Sequence, residues 1–160
     1  MTQRSRCENG TRTYAARVYE LVPEDFEVPA GLEHERFRLR MLSVDDVVKD
    51  FDAICDRVDN EGSPRPPFVE TVAENLVDLG WHQKEFQVRR SFAYTVVAPD
   101  ESRVLGCAYV EPSETHEAKV WMWVRRDAWD DGLDPILEAE VRAWLARDWP
   151  FETVDWGRRG

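Results

Sequence analysis

Residues 91–149 read SFAYTVVAPDESRVLGCAYVEPSETHEAKVWMWVRRDAWDDGLDPILEAEVRAWLARDW, and this stretch decides the fold. Short polar turns separate three apolar runs, at residues 91–98, 103–111 and 117–125. Short turns force neighbouring strands to pair antiparallel, so the runs predict a three-stranded meander. A glycine-containing loop, residues 126–134, then leads directly into a helix. A strand that delivers a loop to a helix N-terminus is a common way to build an anion or cofactor site.

The residues before the meander predict one strand and two helices. FRLRML, residues 37–42, alternates apolar and charged side chains, which is typical of a half-buried strand. Ser43 is a suitable N-cap for a helix over residues 44–58. The apolar face predicted for this helix consists of Val44, Val47, Val48, Phe51, Ile54, Cys55 and Val58. A second helical stretch covers about residues 68–90, with an apolar stripe at Val69, Val72, Leu76 and Leu79.

A final short strand, FETVDW at residues 151–156, completes the order β-α-α-β-β-β-α-β. This order predicts an α+β, or mixed α/β, fold with a central, mainly antiparallel sheet flanked by helices. Residues 1–36 are predicted to be an extended N-terminal arm, because Pro23, Pro29 and Gly31 interrupt regular structure. Residues 37–160 are predicted to form a single domain.

The charge balance excludes several classes of partner. The net charge is −11, from 32 acidic and 21 basic residues. Nucleic acids and anionic membranes need a surface that neutralises phosphate, so neither is expected. No apolar run approaches the roughly 20 residues of a membrane helix, and the N-terminus lacks the apolar core of a secretory signal. We therefore expect an acidic cytoplasmic protein.

The cysteines and histidines give no metal-binding pattern. The sequence contains no CxxC pair and no HExxH motif. The residues concerned are widely spaced: Cys7, Cys55, Cys107, His34, His82 and His116. We therefore expect neither a metal site nor a disulfide framework.

The meander and the following loop resemble the GNAT superfamily, the Gcn5-related N-acetyltransferases. VLGCAYV, with its early Gly106, resembles the family's second meander strand. EAKVWMWVR resembles the next strand, which in the family splays from its neighbour and pairs with the pantetheine arm of acetyl-CoA. The family's pyrophosphate loop has the form V-x-P-x-x-R-x-x-G-x-G/A, and counting from Val124 places its first glycine on Gly132. The resemblance covers about residues 37–156.

The resemblance implies an enzyme that transfers acetyl from acetyl-CoA to an amine of a small molecule or a protein. It implies a cofactor site formed by Trp123, Val124, Arg125, Arg126 and Gly132. The family's base is often a Glu near the start of the splayed strand, which points to Glu117, with Glu111 as the alternative. Both residues also fit an ordinary role as solvated turn carboxylates. An oxyanion donor would be a backbone N–H near Trp123 or Val124.

The loop departs from the family's pattern in three places. Arg126 stands at the Pro position, Trp129 at the Arg position and Asp134 at the last Gly/Ala position. Residues 125–134 carry two Arg and four Asp. A carboxylate at a helix N-terminus competes for the N–H groups that bind phosphate. Two like charges about 4 Å apart repel by roughly 4 kcal/mol at an effective dielectric near 20.

Family members usually continue after the last strand with another helix and two strands, so the resemblance also implies a C-terminally short sheet. An open sheet edge would favour a homodimer. Two hypotheses remain open from the sequence. The first is a GNAT-like N-acetyltransferase. The second is a non-catalytic GNAT-like domain that binds a ligand or a protein and has lost normal CoA binding.

Overall fold

A computed structural model of the chain describes residues 20–157. The strands are β1 (Gly31–Glu33), β2 (Arg38–Met41), β3 (Phe92–Val97), β4 (Val104–Glu111), β5 (Ala118–Val124) and β6 (Val154–Trp156). The helices are α1 (Val47–Cys55), α2 (Val72–Gln87), α3 (Arg126–Asp130) and α4 (Leu133–Asp148). A 3₁₀ turn, Val44–Asp46, precedes α1.

The strands form one six-stranded sheet in the order β1-β2-β3-β4-β5-β6. Each neighbouring pair is antiparallel except β5 and β6, which are parallel. The predicted mixed fold with a mainly antiparallel sheet is therefore confirmed. The structure adds two elements that the sequence did not predict, β1 and α3.

Strand β1 lies within the predicted N-terminal arm and pairs with β2. A Cβ at Gly31 would lie 2.0 Å from the carbonyl oxygen of Leu39, so only glycine permits this close pairing. The arm is also fixed by the hydroxyl of Tyr94, which donates to the carbonyl of Pro29 at 2.6 Å. The division between an arm at residues 1–36 and a domain at 37–160 stays a prediction, and residues 1–19 lie outside the described residues.

Two apolar clusters cover the two faces of the sheet. Helix α4 packs Leu137, Val141 and Trp144 against one face. Helices α1 and α2 contribute Ala53, Ile54 and Leu79 to the other face. Side chains alternate along β5, so Val120, Met122 and Val124 face α4 whereas Trp123 faces α1 and α2. Strand β5 is therefore enclosed on both faces.

The predicted apolar face of the first helix is wrong in part. Val48 is 67% exposed, and Cys55 is exposed as well. Asp50 is buried instead, and its carboxylate accepts a hydrogen bond of 3.0 Å from the side chain of Asn75. A polar partner on α2 thus rotates α1 away from the orientation that its apolar residues alone favour.

The predicted stripe of the second helix also differs from the structure. Leu79 is buried, but Val72 and Leu76 are 41% and 47% exposed. The helix begins after Thr71, whose hydroxyl accepts from the backbone N–H of Glu74 at 3.1 Å. Within residues 20–157, the helices are too short or too polar to cross a membrane.

Candidate functional site

The candidate site is a cleft beside strand β5, where its pairing with β6 ends. Within the described chain, the pairing runs from Ala118 opposite Val154 to Val120 opposite Trp156. The N–H of Gly157 then donates to the carbonyl of Val120 at 2.9 Å. A cavity of about 290 Å³ lies at this point. Its lining includes Asn60, Trp121, Met122, Asp134, Glu138 and Trp156.

Strand alternation directs the backbone of Met122 towards this cleft. The N–H of Arg125 donates to the carbonyl of Leu105 of β4 at 2.9 Å. The odd-numbered residues of β5 therefore direct their backbone N–H and C=O groups towards β4. The carbonyls of Val120 and Val124 accept hydrogen bonds on the opposite side, from Gly157 and Val58. Met122 lies between them and has the same orientation. Its N–H and C=O therefore point away from β4 and into the cleft.

The loop after α1 closes the cleft at the C-terminal end of β5. The N–H of Val58 donates to the carbonyl of Val124 at 3.2 Å. The backbones of Arg57 and Arg125 form an isolated antiparallel β-bridge. Gly62 packs against the Trp129 ring so closely that a Cβ would lie 2.4 Å from the indole nitrogen. Residues 57–62 therefore occupy the space beside the end of β5.

The predicted loop at residues 126–134 is wrong for its first half, which forms helix α3. Several of its backbone donors are used within the protein. The N–H of Arg126 donates to Asp56 at 2.8 Å, that of Trp129 to Arg125 at 3.0 Å, and that of Gly132 to Trp129 at 2.9 Å. These three N–H groups are therefore unavailable to a pyrophosphate.

The side chain of Arg125 is committed to an internal ion cluster. It is 8% exposed and lies 2.8 Å from Asp52, 3.2 Å from Asp127 and 3.7 Å from Asp56. Partial burial opposes ionisation of Asp127, but its contacts with Arg103 and Arg125 outweigh that effect and lower its pKa. Arg125 thus neutralises carboxylates of its own chain, and Arg126 lies 4.0 Å from Asp130.

Gly132 and Asp134 define the start of α4. Gly132 has a φ of 74°, a left-handed conformation that suits glycine. Asp134 lies in the first turn of α4, where the helix dipole favours a carboxylate, and is 8% exposed. Further along the same helix, Arg142 donates two hydrogen bonds to Glu138 and stacks 3.9 Å from the centre of the Trp156 ring. The cleft is therefore bordered by two carboxylates of α4, Asp134 at its start and Glu138 one turn further on.

The two candidate bases have different environments. The carboxylate of Glu117 accepts from the backbone N–H groups of Glu152 and Thr153, at 2.6 and 2.9 Å. The bonds from Thr153 and then Glu152 lower its pKa, so Glu117 fastens the segment before β6 and is a poorer base. Glu111 accepts a hydrogen bond of 2.9 Å from the indole N–H of Trp121, which lines the cleft.

The sequence interpretation missed a polar and aromatic cluster between β4, β5 and α2. The Tyr109 ring stacks on Trp121 at 4.2 Å, and its hydroxyl accepts from the indole N–H of Trp123 at 3.3 Å. The His82 ring lies 5.2 Å from Tyr109, and its Nε2 lies 3.6 Å from Asp78. No spacing in the sequence signals this cluster, because its members come from separate elements.

The five predicted cofactor residues are close together in the chain but have different roles. Trp123 is fully buried, so its indole cannot contact a ligand. Arg125 and Gly132 serve the internal contacts described above, and Arg126 is partly exposed. The cleft at Met122 fits a narrow extended chain such as pantetheine. The loop at 125–132 does not fit a pyrophosphate held by free N–H groups. Among residues 20–157, no group of His, Cys, Asp and Glu is arranged to hold a metal ion.

Comparison with solved structures identifies the fold. Ribosomal-protein-S5-alanine acetyltransferase from Vibrio fischeri aligns with a TM-score of 0.61 at 14% identity, over 79% of this chain and 72% of that one. The microcin C7 self-immunity acetyltransferase MccE, in complex with acetyl-CoA and AMP, gives 0.56 at 8% identity, over 74% and 67%. A spermidine N-acetyltransferase SpeG chimera from Vibrio cholerae and hSSAT gives 0.53 at 11%, over 74% and 68%.

The chain spans about two thirds of the length of several of these structures. No protein-family model matches it, and no curated protein sequence does. The chain therefore resembles these structures in architecture. This resemblance agrees with the strand order and with the end of the β5–β6 pairing at Val120. The chain has the fold of the GNAT acetyltransferases, in a divergent form.

Proposed function

We propose that this chain is an acetyl-CoA-dependent N-acetyltransferase that acts on an amine of a small molecule or a protein. The observation that carries the proposal is the cleft beside β5, into which the N–H and C=O of Met122 point. An extended chain with amide groups can add to such an exposed strand edge. MccE, which has the same fold, is described in complex with acetyl-CoA.

In this proposal acetyl-CoA supplies the activated acetyl group, and the residues of the chain supply orientation and proton transfer. The N–H of Met122 holds the bound chain against β5. Glu111 accepts the proton of the amine, and the indole of Trp121 fixes the orientation of its carboxylate at 2.9 Å. The net charge of −11 favours a positively charged acceptor.

The experiment is release of free CoA thiol from acetyl-CoA by the full chain, measured with a panel of primary amines and peptide N-termini. We expect amine-dependent release that falls about 100-fold in Glu111→Gln, as for loss of a general base. Glu114→Gln, in the exposed turn after β4, is the matched control and should keep full activity. Release that is unchanged in Glu111→Gln would remove Glu111 from the mechanism.

A second function, a non-catalytic GNAT-like binding domain, is favoured by one specific observation. Arg125 and the N–H groups of Arg126, Trp129 and Gly132 are bound internally, so these donors are unavailable to a pyrophosphate. If no amine in the panel gives thiol release and acetyl-CoA does not bind, this second function replaces the first. Dimerisation through an open sheet edge and a cytoplasmic location stay predictions.

A further inference from the structure

The outer face of α2 carries an open apolar groove. Val77 and Trp81 lie one helical turn apart and are 74% and 63% exposed, whereas the buried residues of α2, Asn75 and Leu79, lie on its opposite side. The groove has a volume of about 430 Å³, and we call it the α2 groove. It is lined by Val69, Glu74, Val77, Asp78 and Trp81. Large apolar side chains exposed together in this way mark an interaction surface.

A second cavity continues from the α2 groove towards the candidate base. Glu85, one helical turn beyond Trp81, lines a cavity of about 640 Å³ together with Pro112 and Ser113. Pro112 directly follows Glu111, the last residue of β4. The two cavities therefore follow one another along α2 and end beside Glu111.

The spacing along α2 gives the length of an occupant. Val77 and Glu85 are about 12 Å apart along the helix axis. About six extended residues, roughly 20 Å, cover this distance and continue past Glu85. A polypeptide can thus occupy both cavities while its terminal amine lies at Glu111.

The charge of the two cavities selects a basic occupant. Five carboxylates line them: Glu74 and Asp78 in the α2 groove, and Glu20, Glu85 and Glu117 in the second cavity. One arginine among the described lining residues accompanies them, Arg90, which lies 3.7 Å from Glu85. His82 lies 3.6 Å from Asp78 at the edge of the α2 groove. A complementary occupant therefore combines apolar side chains with an excess of positive charge.

We infer that the acceptor is a polypeptide whose N-terminal amine is followed by a basic, apolar segment, and that this segment docks in the α2 groove. Its apolar side chains pack on Val77 and Trp81, and its basic side chains face Glu74 and Asp78. Acetyl transfer at Glu111 is the proposed function, on which this assignment of the acceptor rests.

Fluorescence anisotropy of a labelled peptide, without acetyl-CoA, tests the docking. The probe has a free N-terminal amine, alternating arginine and leucine, and a C-terminal fluorescein, and its length of about 12 residues exceeds the span of both cavities. We expect saturable binding to the full chain that weakens at least about tenfold in Trp81→Ser and in Val77→Ser, because a few large buried side chains dominate binding. Val48→Ser, at a residue 67% exposed on α1, is the matched control and should bind as the wild type does.

Charge gives a second readout of the same binding. Asp78→Asn and added salt should each weaken it, because both reduce the attraction between the basic segment and the groove. A peptide with glutamate in place of arginine should not bind. Equal binding of the basic peptide by the wild type, Trp81→Ser and Val77→Ser would overturn the inference, as would absence of binding at about 0.1 mM protein.

Turnover with acetyl-CoA separates docking from chemistry. Trp81→Ser should raise KM for the long peptide about tenfold at unchanged kcat, and should leave both constants unchanged for alanine amide, which is too short to reach the α2 groove. An equal rise of KM for both acceptors would overturn the inference and leave the proposed function standing. Binding that depends on Trp81 without thiol release from any peptide would instead contradict the proposed function, and with it the acceptor role of the docked segment.

Discussion

Replacing Asp50 with asparagine is expected to stabilise the protein at neutral pH. The Asp50 carboxyl is 2% exposed, and burial raises its pKa from an ordinary 3.8 to about 6. The nearby carboxylates Asp78 and Asp46 add to the rise, whereas the hydrogen bond from Asn75 opposes it. Above pH 6 the folded protein therefore holds a charge that the unfolded chain would hold more easily in water.

The size of the effect follows from the pKa shift. A shift of roughly 2 pKa units corresponds to about 3 kcal/mol of unfolding free energy. Because the folded pKa is raised, the stability contribution is fully present below pH 3.8 and is lost as pH rises through about 6. The amide introduced by Asp50→Asn carries no charge and would lack this loss.

The local hydrogen bonds can accommodate the amide. The oxygen of the introduced amide can accept from the Nδ2 of Asn75 in place of the carboxylate, which now accepts at 3.0 Å. Its NH₂ group can donate to the Oδ1 of Asn75, which is buried and has no hydrogen-bond partner among residues 20–157. The substitution therefore removes a buried charge and satisfies an existing acceptor.

Urea unfolding of wild type and Asp50→Asn between about pH 5 and pH 7.5 measures the effect. We expect the substitution to stabilise by about 3 kcal/mol at the higher pH and by about half of that at the lower pH. Asp25→Asn, at an exposed position, serves as the control for the chemical change itself. A difference between Asp50→Asn and wild type that does not change with pH, or that favours wild type at pH 7.5, would refute the reasoning.

Three further predictions use the same unfolding measurement. Gly132→Ala should cost about 1 kcal/mol through its positive φ alone, since an added Cβ meets nothing within 4 Å, whereas Gly80→Ala inside α2 should stabilise by up to about 1 kcal/mol. Arg125→Ala should cost about 2 kcal/mol because it removes a buried cation shared by the carboxylates of Asp52, Asp56 and Asp127, but Arg126→Ala should change stability by less than about 0.5 kcal/mol. Glu117→Gln should destabilise the protein at neutral pH, and the difference from wild type should vanish as pH falls below 4.5, because the folded pKa of Glu117 is lowered. The reasoning on the glycines and on the arginines fails if the two variants of each pair have equal stability. The reasoning on Glu117 fails if its difference from wild type persists in acid.

The meander was predictable from the sequence because it depends on local patterns. The apolar runs and their short turns correspond to β3, β4 and β5, and Gly106 permits a backbone approach in which a Cβ would lie 2.0 Å from Trp123. Gly132 was correctly singled out as the residue before the last long helix, because a glycine commonly supplies the special backbone angle that such a turn requires.

The features that the sequence did not predict depend on distant partners. The orientation of α1 follows from the bond between Asp50 and Asn75, which lie on different helices. The loop after β5 becomes helical at its start, where Leu105 and Asp56 supply acceptors from separate segments to the N–H groups of Arg125 and Arg126. The aromatic cluster at Tyr109, Trp121 and His82 has the same origin, since strand register and helix packing bring its members together.

Calorimetric titration of acetyl-CoA into the full chain tests the proposed function most directly. The account predicts saturable one-to-one binding that tightens in Asp134→Asn, because a carboxylate in the first turn of α4 repels phosphate. Glu138→Gln, on the same helix but further from its N-terminus, should tighten binding less. Absence of binding at about millimolar acetyl-CoA, a free energy near −4 kcal/mol, would contradict the account and leave the non-catalytic domain as the function.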